Sequence, residues 1–147
     1  MSGRWPKMAP TLPVGDVEPR FVHTFTVPFD DADAAGIVFF ARTYFYAHRA
    51  YEAFIRSIEI HDFFSPERFV CPFVHTEADH KNPMRPGEVL DVEVRLEKLG
   101  TSSMTFVYRI MAGTTEKAEV RMVSVFVDPL TFTKIPIPDD IRAALQA

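Results

Sequence analysis

The chain has 147 residues, of which 47% are hydrophobic and 24% are charged, and its formal net charge is −4. This length and composition favour one globular domain with a sizeable core and exclude a disordered chain. The negative charge, without a long basic stretch, argues against nucleic acid as a partner. No apolar run approaches the length of a transmembrane helix. The sole cysteine, Cys71, excludes an internal disulfide framework and suits a reducing compartment.

Residues 1–20 combine prolines with polar residues, which predicts a flexible lead-in to a single domain over 21–147. Arg4 and Lys7 precede no continuous apolar segment, because prolines interrupt the next residues of the chain. This pattern is not that of a secretory signal. We therefore expect a cytoplasmic protein with no membrane partner.

The domain is predicted to open with a strand over residues 21–29, because apolar side chains alternate along it. One face of the strand is expected to hold Phe21, His23, Phe25, Val27 and Phe29. After this strand comes an acidic turn, in which Gly36 allows a sharp change of backbone direction. The carboxylates of this turn are Asp30, Asp31 and Asp33.

A long helix is predicted after the turn and is expected to end near Ile60, because apolar residues recur at steps of three and four. Its buried face is expected to hold Tyr44, Ala47, Tyr51, Phe54 and Ile58. Carboxylates just before such a helix have two interpretations. They can cap its first turn and complement its dipole. Alternatively, one of them can react beside amides that bind a substrate oxygen.

The second half of the chain is predicted to form four strands and a short helix. Residues 61–68 are interpreted as a loop. The segment 69–81 starts as an apolar strand and turns polar from His75, which fits either a pocket wall or a solvated strand end. Alternation and turn residues predict the remaining strands over 88–97, 103–111 and 117–128, and a helix over 139–145. One apolar helix and one half-polar sheet predict an α+β fold, with a five-stranded antiparallel sheet wrapped around the helix.

The segment Asp31-Ala-Asp33-Ala-Ala-Gly36-Ile-Val-Phe-Phe resembles the signature of the hot-dog thioesterases of the 4-hydroxybenzoyl-CoA thioesterase family. Two shorter strings, His48-Arg-Ala-Tyr-Glu52 and Pro72-Phe-Val-His75, resemble the 1,4-dihydroxy-2-naphthoyl-CoA thioesterase branch. The resemblance spans nearly the whole chain. It implies the hot-dog fold, an aromatic acyl-CoA substrate and no cofactor. Together with the exposed sheet edges of so small a domain, it also implies a homo-oligomer, either a dimer or a tetramer.

By this resemblance, Asp33 takes the place of the catalytic carboxylate, and the backbone amide of Phe40 polarises the thioester carbonyl. Asp33 either attacks the carbonyl carbon or acts as a general base toward water, and the sequence leaves both open. Asp31 is expected to shape the turn.

Further residues are predicted to bind the substrate: Gly36, Phe39, Tyr44, His48 and His75. An alternative for His48 is helical pairing with Glu52, four residues later. The family holds coenzyme A phosphates with basic residues near the turn at 100–103, which this chain lacks. Arg85, Lys81 or main-chain amides are therefore the candidates for that role.

Two other functions compete with thioester hydrolysis. A hot-dog dehydratase would place a histidine with an acid at the helix, and Asp33 has no such neighbour. A non-catalytic acyl-CoA or lipid sensor would usually carry a DNA-binding segment, for which residues 1–20 are too short. The five histidines are scattered without metal-binding spacing, so no metal site is predicted. Cys71 lies in an apolar run and is interpreted as a core residue rather than a nucleophile.

Overall fold

The computed structural model describes residues 18–147. Most of the predicted lead-in over 1–20 therefore lies outside the described residues. Within 18–147 the elements are β1 (Phe21–Thr26), α1 (Arg42–Ser57), β2 (Phe73–His80), β3 (Val89–Leu99), β4 (Ser103–Ala112), β5 (Thr115–Val125) and α2 (Asp139–Gln146), with a 3₁₀ turn at Phe29–Asp31 between β1 and α1. The five strands form one antiparallel sheet in the order β1-β3-β4-β5-β2. The predicted α+β class is confirmed.

Helix α1 packs on one face of the sheet, mainly against β3, β1 and β5. The apolar positions of β4 that alternate in the sequence, from Met104 to Ile110, are all buried. Ring contacts join the helix to this strand. The ring centroids of Phe54 and Tyr51 lie 5.8 and 5.6 Å from that of Phe106. The core of the domain is therefore the interface between α1 and the sheet.

The buried face of α1 is wider than the sequence predicted. Tyr44 and Ile58 are only half-buried, whereas the residues that lie fully inside are Thr43, Tyr46, Ala47, Ala50, Tyr51, Phe54 and Ile55. A helix that packs on a sheet buries a broad face, so residues on either side of the predicted positions are buried as well. The helix ends at Ser57 rather than near Ile60, and Glu59 adopts a left-handed backbone conformation with φ of 61°.

Strand β1 is shorter than the predicted 21–29, and Phe29 does not belong to it. Val27 still donates its N–H to the carbonyl of Glu88, at 2.9 Å. Pro28 then interrupts the pairing because it has no N–H to donate. Phe29 lies in the 3₁₀ turn instead, and its side chain is 88% exposed.

Candidate active site

Asp31 ties the acidic turn to helix α1. Its side chain is buried, and its Oδ2 accepts a 2.6 Å hydrogen bond from the hydroxyl of Tyr46. The Nε of Arg42 lies 3.5 Å from the other carboxylate oxygen. The main-chain carbonyl of Asp31 also accepts the N–H of Phe39, at 3.0 Å. These contacts make Asp31 a structural anchor of the turn.

Asp33 lies exposed at the tip of the same turn. The turn is closed by a bridge between Ala32 and Val38, and Gly36 supplies a positive φ of 76°. The Oδ1 of Asp33 accepts the N–H of Ala35 at 2.8 Å, which fixes the side chain against its own backbone. The second carboxylate oxygen makes no hydrogen bond to any residue of 18–147, so it is available to a substrate or to water.

The start of α1 carries main-chain amides that nothing in the described chain satisfies. Ala41 is the N-cap and provides no side-chain cap, and the first turn holds no acidic residue. The N–H groups of Arg42 and Thr43 bond to carbonyls within the turn, whereas those of Phe40 and Ala41 find no partner within residues 18–147. Unbonded amides at the positive end of a helix form a site for an anion or a developing oxyanion.

Exposed aromatic side chains lie close in sequence to these amides. Phe39 and Phe40 are exposed, and their ring centroids lie 4.8 Å apart. The exposed ring of Phe45 lies beneath the guanidinium of Arg42, at 5.4 Å. Phe39 therefore lies beside the amide that is predicted to polarise the carbonyl.

His48 lies at a cavity of about 210 Å³ between the middle of α1 and the segment that leads into β2. Its ring centroid is 5.6 Å from that of Tyr51 and 5.7 Å from that of Phe73. The alternative of a helical pair between His48 and Glu52 is not seen among residues 18–147, where Glu52 accepts a 3.0 Å bond from Arg56. Tyr44 lies one helical turn before His48 and is half-buried.

The polar side chains of β2 have two different environments: one histidine lies at the surface and another contacts helix α1. His75 is exposed, with its Nε2 3.2 Å from a carboxylate oxygen of Glu77, and it does not line the cavity at His48. His80 instead forms a 2.9 Å hydrogen bond with the hydroxyl of Thr43 in the first turn of α1. Burial lowers the pKa of His80, so its imidazole is neutral near pH 7. This contact holds the start of the helix against the sheet, and no local spacing predicted it.

The candidates for holding coenzyme A phosphates differ in their availability. The Nζ of Lys81 forms an ion pair with Glu116, at 3.0 Å from its Oε1, and lies 3.7 Å from the Oε2 of the buried Glu119. Arg85 is exposed, and its guanidinium has no ion-pair partner in the described part of the chain. Of the two, Arg85 is the cation that is free to meet a phosphate.

Cys71 is half-buried beside the same cavity, and burial raises the pKa of its thiol to about 12. It is therefore protonated and unreactive at neutral pH. Among residues 18–147, no three histidine, cysteine or carboxylate side chains are arranged to hold a metal ion. None of the described helices is long and apolar enough to cross a membrane.

One segment therefore carries an accessible carboxylate and two unbonded main-chain amides, just before a helix that packs against an antiparallel sheet. Comparison with known proteins gives the family. Residues 27–145 match the model of the thioesterase-like superfamily, so the chain belongs to that superfamily.

Individual relatives agree with this assignment. The chain is 32% identical over 123 residues to a 1,4-dihydroxy-2-naphthoyl-CoA hydrolase of Synechococcus elongatus, an alignment that covers 82% of this chain and 90% of that protein. The crystal structure of a thioesterase superfamily protein from Jannaschia sp. CCS1 matches with a TM-score of 0.81 and 25% identity, covering 90% and 96% of the two chains. A 1,4-dihydroxy-2-naphthoyl-CoA thioesterase from Synechocystis matches with a TM-score of 0.79 and 24% identity, covering 86% and 95%. The predicted hot-dog thioesterase fold is confirmed.

Proposed function

We propose that this protein hydrolyses an aromatic acyl-CoA thioester to the free acid and coenzyme A, with Asp33 as the reacting carboxylate. The observation that carries the proposal is the exposed Asp33, with one oxygen free, on the turn that leads directly to the unbonded amides of Phe40 and Ala41. A thioester needs a nucleophile at its carbon and stabilisation of charge at its oxygen, and this segment offers both.

The oxygen of the thioester would accept the N–H of Phe40, where the positive end of the α1 dipole favours the developing negative charge. In one route, Asp33 attacks the carbonyl carbon, the C–S bond breaks and coenzyme A leaves as the thiolate. Water then hydrolyses the resulting anhydride to the acid. In the other route, Asp33 takes a proton from water as that water attacks, and the proton passes to the leaving sulfur. Gly36 gives the turn between Asp33 and the helix a positive φ, which glycine adopts without strain.

Two observations support an aromatic acyl group. The relative from Synechococcus elongatus is named for a dihydroxynaphthoyl thioester. The exposed rings of Phe39 and Phe40 adjoin the amide of Phe40 in the sequence, and the cavity at His48 has several aromatic walls. Aromatic pairs contribute about 0.5–1.5 kcal/mol beyond the burial of area, which favours a flat ring over an alkyl chain.

We expect the protein to prefer aryl substrates over a long alkyl one. Comparison of kcat/KM for benzoyl-CoA, hydroxylated benzoyl-CoAs and palmitoyl-CoA, followed with a thiol reagent, tests this. The expected preference for an aryl substrate is about tenfold, the size of one or two ring contacts. A preference for palmitoyl-CoA would contradict the aryl proposal but not thioester hydrolysis. Binding of acyl-CoA without release of thiol would instead favour the non-catalytic alternative.

We also propose that the protein acts as a homo-oligomer, a dimer or a tetramer. Strand β2 is an edge strand of the sheet, and its Val74 is 60% exposed. Unpaired edges and exposed apolar side chains favour association. Light scattering at micromolar concentration should give at least twice the chain mass of 16.7 kDa. A mass of one chain would contradict this prediction.

A further inference from the structure

We infer that Lys117 is a positioning residue of the candidate site, because its buried ammonium holds the segment 83–88 against the turn that carries Asp33. This inference rests on the proposed function and deepens it, since it adds to the site a residue that acts without touching the substrate. Lys117 lies in β5, more than 80 residues along the chain from Asp33, so no motif in the sequence joins the two.

Lys117 is buried to an extent that is rare for a lysine. The residue is only 7% exposed, and lysine is almost never buried so deeply unless its charge is paired. Its Nζ donates a 2.9 Å hydrogen bond to the carbonyl of Pro83 and lies 3.0 Å from the Oε2 of Glu88. Both partners belong to the segment that joins β2 to β3. The ammonium therefore binds this segment and is shielded from solvent.

Further hydrogen bonds fix the same part of the chain. The main-chain carbonyl of Lys117 accepts the N–H groups of Lys81 and Asn82, at 2.9 and 3.1 Å. The Oε1 of Glu88 accepts the N–H of Arg85, at 2.6 Å. The side chains of Lys117 and Glu88 thus meet, and each also binds the main chain of the segment. Removal of either charge leaves the other without compensation, which is costly for a buried group.

The segment in turn contacts the acidic turn through a main-chain hydrogen bond. The carbonyl of Met84 accepts the N–H of Val38, at 2.8 Å. Val38 also forms the bridge with Ala32 that closes the turn. Asp33 lies within this closed turn, and Phe40 follows Val38 by two residues. A shift of the Met84 carbonyl therefore moves the carboxylate and the candidate oxyanion amide.

The path from Lys117 to the turn is short. Pro83, whose carbonyl Lys117 binds, is followed directly by Met84, whose carbonyl binds Val38. Pro83 and Met84 are both buried, so the segment is packed on several sides and transmits a displacement rather than absorbing it. A displacement of about 1 Å at reacting groups can cost about 10²-fold in rate.

The environment of Lys117 separates this role from direct binding of substrate. A cation that binds a phosphate of coenzyme A must reach solvent, as the exposed Arg85 does. Lys117 is buried and already bonded to protein groups. Loss of a phosphate contact mainly raises KM, whereas misplacement of the reacting groups mainly lowers kcat. The two roles therefore differ in the kinetic constant that they change.

The test measures kcat and KM of Lys117→Met with benzoyl-CoA. Methionine keeps an unbranched apolar side chain and removes the ammonium. We expect kcat per folded molecule to fall about tenfold, while KM changes less than about twofold, because no substrate contact is lost. Circular dichroism at the assay temperature gives the folded fraction used in this comparison.

Leu145→Ala is the control for loss of stability alone. Leu145 is 0% exposed in α2, so its truncation leaves a cavity and destabilises the fold. Helix α2 lies at the far end of β3, where Arg142 donates to the carbonyl of Gly100. The 11 residues of β3 span about 36 Å, so this control is remote from the segment 83–88. Its kcat per folded molecule should stay within about twofold of the wild type. Unchanged kcat in Lys117→Met, or an equal fall in Leu145→Ala, would overturn the inference.

Glu88→Gln decides the question if Lys117→Met does not fold. Glutamine keeps the oxygen that accepts the N–H of Arg85 and removes only the charge opposite Lys117. We then expect kcat to fall about threefold with KM unchanged. A folded Glu88→Gln with the kcat of the wild type would count against the role of the pair.

If the wild type releases no thiol from benzoyl-CoA or any other acyl-CoA, the proposed function fails and hydrogen exchange decides the inference. NMR exchange of the Val38 amide reports directly on its bond to the carbonyl of Met84. In Lys117→Met this amide should exchange about tenfold faster relative to the amide of Ala50 in α1, whereas Leu145→Ala should leave that ratio unchanged. An unchanged ratio in Lys117→Met would refute the inference whatever the activity of the protein.

Discussion

Asp33→Asn should lower kcat by about 10²-fold or more while the protein stays folded and still binds its substrate. Asparagine keeps the size of the side chain and its oxygen, so the 2.8 Å bond from the N–H of Ala35 can persist. The change removes the charge that makes Asp33 a nucleophile or a base. Because Asp33 is exposed, its replacement leaves no buried group unpaired. Steady-state kinetics with an aryl-CoA, together with thermal unfolding, measures both effects.

Asp30→Asn is the control for this experiment. Asp30 is an exposed carboxylate of the same turn and makes no hydrogen bond or ion pair within the described chain. Its replacement changes the local charge equally, so kcat should stay within about twofold of the wild type if only the reacting carboxylate matters. If Asp33→Asn kept near-normal activity and a folded Asp31→Asn were inactive, the reacting carboxylate would be Asp31.

The fold could be predicted because its signals are local. Apolar residues recur every two positions in β3 to β5 and every three or four positions in α1. These periods indicate which face of each element is buried, without knowledge of the element that packs against it. The strand that ends early shows the limit of that reasoning. The alternation of apolar residues alone predicts that β1 continues to Phe29. Pro28, however, has no N–H for the next hydrogen bond to the neighbouring strand.

The candidate site could be predicted only in part, because much of it depends on contacts between distant residues. The acidic turn and the helix start are contiguous in sequence, so one family signature could be matched to both, and that resemblance assigned the roles of Asp33 and Phe40. The bond between Tyr46 and Asp31 joins residues 15 apart, and that between Thr43 and His80 joins residues 37 apart. The segment at 61–68 looked like a plain loop, yet its aromatic residues close the cavity over α1. No spacing rule reports such contacts, since they depend on how the chain folds back on itself.

The anchor between Tyr46 and Asp31 leads to the second large expected effect. Tyr46→Phe should lower the free energy of unfolding by about 1.5–3 kcal/mol, the range for hydrogen bonds to charged groups. The lost bond is short, at 2.6 Å, and its acceptor is a buried carboxylate. Within residues 18–147 that carboxylate would keep only the more distant Arg42, at 3.5 Å. Burial and the neighbouring Asp31 also raise the pKa of Tyr46, so this hydroxyl is the donor in the pair.

Tyr108→Phe supplies the matched comparison for stability. Both tyrosines are 0% exposed, but the hydroxyl of Tyr108 has no partner among residues 18–147, so its removal breaks no bond there and should be nearly neutral or stabilising. Urea unfolding of both variants measures the difference. A cycle with Asp31→Asn isolates the pair, because the two changes should be non-additive if the bond is the cause. Equal destabilisation by Tyr46→Phe and Tyr108→Phe would show that Asp31 does not depend on Tyr46.

Tyr46→Phe should also affect catalysis, because the main-chain carbonyl of Asp31 accepts the N–H of Phe39, next to the candidate oxyanion amide of Phe40. The substitution should therefore lower kcat more than it raises KM.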